Sequence, residues 1–310
     1  MAPQNILVVG ATGQQGGAVV KSLLDLPESA SRFHILALTR NAQSERAKHL
    51  LAAHNGAVSL IEGDSTNPGP IFASRPQGSI DSIFIVTAIG QKTPEEQQAI
   101  PLIDAAVAHG VKHIVFSSVD RGGDAQSWTN PTNVKHFLAK HHIELYLRDK
   151  AEKAEEEEGA GTFAWTVLRP VCFMDNMNPG LLCSVFTAMW DAALQPDTKL
   201  QLVAVRDIGV FAAKALSEPA EWSGRAVGLA GDELTLAEAR EVFQRVVGKT
   251  LPQTFTFLGR ALMWGVKEMG DMFAFFEREG YGADIEALKR EAPMQDFESW
   301  LRDDSKWTRE

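Results

Sequence analysis

Short, continuous apolar runs alternate through the first half of the chain with stretches whose apolar positions recur every three or four residues. The runs are "NILVVG", "FHILALTR", "AVSLIEGD", "SIFIVTA", "HIVFSSV" and, after a gap, "AWTVLRPV". A strand that is apolar at nearly every position is covered on both faces, so these runs predict a parallel, doubly wound α/β sheet. The helical stretches "GGAVVKSLLDL", "SERAKHLLAAH" and "AIPLIDAAVAHG" supply the crossovers. Two later runs, "LQLVAVRDIG" and "RAVGLAG", follow a long helical passage, and from about Glu233 the chain reads as helix with one strand-like piece, "QTFTFLG". No internal repeat is visible. The biased segment "AEKAEEEEGAG" reads as a charged helix end closed by Gly159 and Gly161, with Glu155 to Glu158 as a solvated extension.

Composition narrows the class. The 310 residues can bury a full core, as one large domain or as a domain with a smaller appendage. With 23% charged and 45% hydrophobic residues the chain is an ordinary globular protein. Its net charge of −10 leaves no general basic field for gripping nucleic acid, and no local basic cluster replaces one. Two cysteines, Cys172 and Cys183, make neither a disulfide framework nor a zinc site, and a reduced, intracellular protein is expected. "MAPQNILVVGATG" leads straight into a strand with no leader pattern, and no apolar run approaches the roughly 18 residues that span a bilayer. The expected location is cytoplasmic, with the nucleus as a second compartment through a signal read by a partner.

The first run carries the most specific chemistry. In "VVGATGQQGGAVV", Gly10, Gly13 and Gly16 form G-x-x-G-x-x-G directly after a buried strand and at the mouth of a helix. Glycines there allow the tight turn, close approach of backbone amides to a pyrophosphate, and tight helix–sheet packing, while the helix N-terminus favours negative charge. Thr12, Gln14 and Gln15 complete this predicted cradle in a Rossmann-type fold. The end of the second strand then discriminates between nicotinamide cofactors. NAD sites usually hold a carboxylate there for the ribose hydroxyls; here stand Thr39, Arg40 and Asn41. A guanidinium suits a 2′-phosphate, so NADP(H) is expected, although Arg40 also reads as a plain solvated strand-end charge. Ligands of such sheets bind beyond the carboxyl ends of the strands, which adds Asp64 on the adenine side and Thr87, Ala88, Gln91 and Lys92 towards the ribose and nicotinamide.

Taken together, "GATGQQGGAVV", "LTRN", "EGD", "HFLAKHHIELYL", "WTVLRPVCFMDNM" and "VAVRDIG" resemble the NmrA-like family, atypical short-chain dehydrogenase/reductases that include fungal regulators and NADP(H)-sensing proteins. The resemblance extends from the first strand to "DFESWL". It implies a Rossmann domain with a smaller, mostly helical C-terminal part and a cleft between them. The boundaries expected are 1–155 for the NAD(P)-binding core, 156–232 for completion of the sheet plus cleft-lining helices, and 233–310 for the substrate-side part. It also implies that the usual short-chain dehydrogenase tyrosine is absent, and that the lysine lies in a helix matched here by Lys140, Ile143, Glu144 and Leu147. The span from Lys140 to Arg169 is longer than the family pattern, and the surplus falls at "AEKAEEEEGAG".

That surplus produces two competing motifs, His136-x-x-x-Lys140 and Tyr146-x-x-x-Lys150. At 100° per residue, His136, Lys140, Ile143, Leu147, Ala151 and Ala154 share a stripe about 80° wide, with Tyr146 roughly 100° from its centre. The apolar stripe faces the sheet, which points Lys140 inward and sets Tyr146 on the wet side. Lys140 is then the cofactor-positioning residue, or half of an ion pair with Glu144. His136 is either a proton donor or a packed histidine. Ser118 at the end of the fifth strand either binds a substrate carbonyl or caps the strand. Pro170 and Val171 fall near the nicotinamide, Phe173 and Asn176 towards the substrate, and Cys172 reads as a small buried hydrophobe. His141 and His142 lack metal-site spacing, and no metal is expected. Trp190, Met263, Trp264 and Phe273 either wall an apolar pocket or belong to the core or an oligomer face.

The expected function is an NADP(H)-dependent reductase passing hydride to a small, fairly apolar carbonyl, imine or activated alkene. The alternative is a redox sensor that binds NADP(H) without turnover and acts through a protein partner. No direct nucleic-acid or membrane partner is expected, and the chain is expected to be a monomer or homodimer.

Overall fold

The computed structural model describes residues 3–54, 56–158 and 163–308. Its main sheet has seven strands in the order β3-β2-β1-β4-β5-β6-β9, formed by β1 (Gln4–Val8), β2 (Phe33–Thr39), β3 (Val58–Glu62), β4 (Ser82–Val86), β5 (His113–Ser117), β6 (Ala164–Pro170) and β9 (Arg225–Leu229). The pairings among β1 to β6 are all parallel. The chain order reverses at β1, where β2 and β4 flank it on opposite sides, so the crevice of a Rossmann-type sheet opens there. A second sheet joins β7 (Cys172–Phe173), β8 (Leu200–Val203) and β10 (Asp232–Leu234) in the order β10-β8-β7.

Burial on both faces explains the unbroken apolar runs. Along β1, Ile6, Leu7 and Val8 are all fully buried although successive side chains point to opposite faces. On one face, Leu7, Leu36, Ile83, Ile114 and Phe116 pack with Leu102 and Ile103 of the helix Glu95–His109 and with Ile143, Leu147 and Ala151 of the long helix Lys135–Glu158. Both helices therefore lie over the same face of the sheet. Glu155, Glu156 and Glu157 are exposed, while Gly159 and Gly161, expected to close this helix, lie outside the described residues.

Contacts divide the chain into two compact units, Met1–Ser118 with Ala139–Leu168 and Ile208–Val227, and Val119–Leu138 with Arg169–Asp207 and Gly228–Glu310. The expected segments 1–155, 156–232 and 233–310 follow chain order, whereas this grouping interleaves. The second unit has its own aromatic core, including Phe137, Phe186, Trp190, Phe243, Phe273 and Trp300.

Two expected strands differ. "QTFTFLG" is coil followed by the helix Thr256–Gly265. Its Phe-x-Phe alternation mimics a half-buried strand, yet both phenylalanines face outward, and the helix is seated instead through Gly259, where a Cβ would come within 2.7 Å of the Ala188 carbonyl. "LQLVAVRDIG" is a strand only over Leu200–Val203, because the chain turns into the helix Val205–Ser217.

Candidate functional site: a glycine-loop cavity and a buried lysine–glutamate pair

The glycine loop after β1 has the geometry its sequence predicts. Gly10 adopts φ +66°, and Gly13 N–H donates to its carbonyl at 2.8 Å. A Cβ on Gly16 would sit 2.3 Å from that same carbonyl, so the first turn of the helix Gln14–Leu24 can lie against the loop only with glycine there. Gln14 is exposed at the helix start, and Gln15 accepts a hydrogen bond from Ser117 Oγ at 2.6 Å, joining the cradle to the end of β5.

This loop forms one wall of a cavity of about 530 Å³ within the first unit. Gly10, Thr12, Gly13, Arg40, Asn41, Asp64, Ala88 and Gln91, all expected on sequence grounds, line it together. Lining residues that the sequence reading missed are Ser44, Arg46, Thr66, Thr93 and Gln98. Ser44 caps the helix Glu45–Ala53, accepting from Ala47 N–H at 3.3 Å, and Arg46 lies in its first turn. Arg40, Arg46 and a helix N-terminus thus converge on one end of the cavity, a combination suited to a phosphate. Its sequence signal was a cation one turn into the helix after β2. Asp64 shares that end; two hydrogen bonds from Thr66, backbone and hydroxyl, both 2.9 Å, hold its carboxyl below the ordinary range, with Arg40 adding a smaller attraction.

Gln98 shapes the opposite wall. Its amide donates to the carbonyls of Ala88 and Thr93 at 3.0 and 2.9 Å and accepts from Ala88 N–H at 2.9 Å, so one buried side chain staples the loop after β4. Thr87 points elsewhere. Val86 and Ala88 line the cavity, whereas the Thr87 hydroxyl is tied to Glu95 and receives a hydrogen bond from Lys140 Nζ at 2.6 Å.

Lys140 is buried, and its ion pair is with Glu95, not with Glu144: Nζ lies 2.6 Å from Oε2, with both side chains 7% exposed. Glu95 opens the helix Glu95–His109, where the helix dipole favours its charge, and Lys140 comes from the neighbouring helix on the same sheet face. Glu144, fully buried, accepts instead from Ser118 Oγ.

Tyr146 is half-buried, a correction to the solvated position expected from the helical wheel. Its ring packs at the edge of the sheet-face core and its hydroxyl donates to Asp104 at 2.5 Å, while Lys150 pairs with the same carboxylate at 2.7 Å. Burial first, then Asp104, pushes the phenol up to about 12. Tyr-x-x-x-Lys is thereby committed to the third turn of the helix Glu95–His109.

The remaining candidates lie in the second unit. His136 Nδ1 is 2.7 Å from Glu268 Oε1, which also accepts the His136 backbone N–H at 3.2 Å. Pro170 and Val171 are buried, and Val171 N–H donates to Leu229 O at 3.1 Å. Phe173 is partly buried in β7, and the Asn176 amide donates to Cys172 Sγ at 3.9 Å. Burial pushes the Cys172 thiol up to about 12, the behaviour of a packed hydrophobe. Trp190 and Phe273 are core residues, Met263 packs partly against that core, and Trp264 projects into solvent at 90% exposure because Gly259 turns the opposite face of its helix inward. Among the described residues no cluster of three or more His, Cys, Asp or Glu side chains could hold a metal, and no helix is long and apolar enough to cross a membrane.

The model of the NmrA-like family matches residues 2–301. The chain belongs to the NmrA-like family. An NmrA-like family domain-containing protein of Dictyostelium discoideum is 24% identical over 308 residues, covering 96% of this chain and 97% of the relative. Among solved structures, the NADPH-dependent quinone oxidoreductase QOR2 of Escherichia coli, complexed with NADPH, aligns with a TM-score of 0.70 at 22% identity, covering 96% of this chain and 98% of that one. NmrA, a negative transcriptional regulator in complex with NADP, aligns at 0.68 and 18%, covering 98% and 96%. At these identities the two structures establish the shared Rossmann-type fold, which hosts both a reductase and a regulator.

Proposed function

We propose that this NmrA-like protein binds NADP(H) in the cavity beside β1 and reduces a small, fairly apolar carbonyl, imine or activated alkene. The observation that carries the reading is the convergence of Arg40, Arg46 and the helix N-terminus at Ser44 on the same 530 Å³ cavity that the glycine loop walls. In this reading the glycine loop, with Thr12, Gln14 and Gln15, holds the pyrophosphate, and the two arginines hold the 2′-phosphate. Asn41 and Asp64 flank the adenosine, and Ala88 and Gln91 border the path towards the nicotinamide. The cofactor supplies the hydride when bound. Lys140, fixed by Glu95 and Thr87, would position the nicotinamide ribose, and Ser118 or water would deliver the proton. QOR2, an NADPH-dependent quinone oxidoreductase whose structure holds NADPH in the same fold, supports the class of reaction.

A second reading is a redox sensor acting through a protein partner, in the cytoplasm or nucleus. What favours it is that Lys140, Ser118 and His136 are each bound to a carboxylate, Glu95, Glu144 and Glu268 respectively. NmrA, a transcriptional regulator with the same fold and bound NADP, supports that reading. The two separate on NADPH oxidation across a panel of quinones, aldehydes and imines. Substrate-dependent oxidation is expected; tight NADPH binding without turnover in any class would favour the sensor.

A further inference from the structure

We propose that the outer face of the helix Thr256–Gly265, with the start of the helix Leu181–Ala193, is where a second copy of this chain docks to form a homodimer. The two helices lie side by side: Thr254 N–H donates to Ser184 O at 3.0 Å, and Gly259 seats on the Ala188 backbone. Seating through a glycine leaves the larger side chains pointing away. Leu181 is 78% exposed, Leu182 60%, Phe255 69%, Phe257 64%, Leu258 44% and Trp264 90%. Phe255 and Phe257 stack on each other at 5.6 Å, a small rigid aromatic platform facing water.

The size of this face separates a docking surface from scattered apolar exposure. At ~150–250 Å² per aromatic ring, the three exposed rings alone present on the order of 450 Å². The aliphatic neighbours bring the face close to the ~800 Å² that one partner gives up in a stable interface. An ordinary monomer's largest apolar patch is only ~300–600 Å².

Charge argues for a like partner. Between Phe255 and Val266 the only charged residue is Arg260, so the face carries no pattern of opposite charge with which to select a foreign protein, and the chain's net charge of −10 opposes attraction to an anionic membrane. An apolar face is complementary to itself, and a two-fold axis through it closes the assembly with no apolar surface left over. Phe257 and Trp264 are the anchors, being large, rigid and solvated in the single chain.

Sedimentation velocity of the full chain at micromolar concentration tests the assignment. The expected result is a particle of twice the 33.9 kDa chain mass, halved in mass by Phe257→Glu with Trp264→Glu, while circular dichroism and the NADPH affinity of the variant stay unchanged. Hydrogen exchange at residues 254–266 is expected to slow at high concentration in the wild type alone. A wild-type chain that stays at single-chain mass, a doubly substituted chain that still dimerises, or a single chain that instead co-sediments with phosphatidylcholine vesicles would each overturn it.

Discussion

Lys140 and Glu95, 45 residues apart in sequence, meet at 2.6 Å under the carboxyl end of β4, with the Thr87 hydroxyl joined to both. Two helices on one face of the sheet bring them together, and neither charge has water to fall back on. The energetic consequence is asymmetric: a buried pair adds little over a hydrophobic substitute, but one partner left alone is costly.

Lys140→Met is therefore expected to cost about 3–5 kcal/mol of unfolding free energy, and combining it with Glu95→Gln to recover most of that loss. Urea denaturation of the single and double variants measures it. A single variant as stable as the wild type would show that the pair carries no structural weight.

Tyr146→Phe is expected to cost about 1 kcal/mol through the lost hydrogen bond to Asp104 and to leave NADPH affinity unchanged. Titration calorimetry on the variant checks this. A large loss of affinity would return Tyr-x-x-x-Lys to the site.

The contrast between these residues shows what a sequence can carry. The strands of the main sheet and the glycine loop were legible because they are local: a continuous apolar run and a spacing. The inward stripe of the long helix was legible for the same reason, and Ile143, Leu147 and Ala151 are indeed core. Partners were not legible. Glu95, Gln98, Asp104 and Glu268 reach their contacts from other elements, and no spacing along the chain announces them. Tyr146 failed differently, since a helical wheel gives an angle but not the neighbouring helix that half-covers that side. Phe255 and Phe257 misled by alternating as strand residues do, when the decisive residue was Gly259 and its contact was with another helix.

Gly16→Ala is expected to abolish NADPH binding, because its Cβ would lie 2.3 Å from the Gly10 carbonyl oxygen and 2.8 Å from Ala11 N, both rigid backbone. Loop displacement is expected to cost about 1–3 kcal/mol of stability. Tight binding by a folded Gly16→Ala protein would remove the loop from the site.

His113 sets a pH dependence. It is buried, bonded to Thr166 at 2.9 Å, and burial pushes its imidazole down from 6.5 to about 4. As pH falls through that interval the unfolded chain takes up a proton that the folded chain does not, so stability is full above pH ~6.5 and is lost towards pH ~4, by up to ~3 kcal/mol. Burial of Asp207 acts in the opposite sense, raising its carboxyl from 3.8 to about 6, so the folded chain gains a proton there as pH falls. The stability difference between wild type and His113→Gln isolates the histidine: it is expected to shrink on acidification from pH ~6.5 to ~4. A difference independent of pH would show that His113 titrates normally.

Calorimetric titration of the wild type and of Arg40→Ala with Arg46→Ala, each against NADPH and NADH, tests the cofactor assignment most directly. The wild type is expected to bind NADPH at least about tenfold more tightly than NADH, a margin of ~1.4 kcal/mol, and the double substitution to remove that margin while leaving NADH affinity in place. Equal affinities in the wild type, or equal losses for both nucleotides in the variant, would contradict a 2′-phosphate site at Arg40 and Arg46.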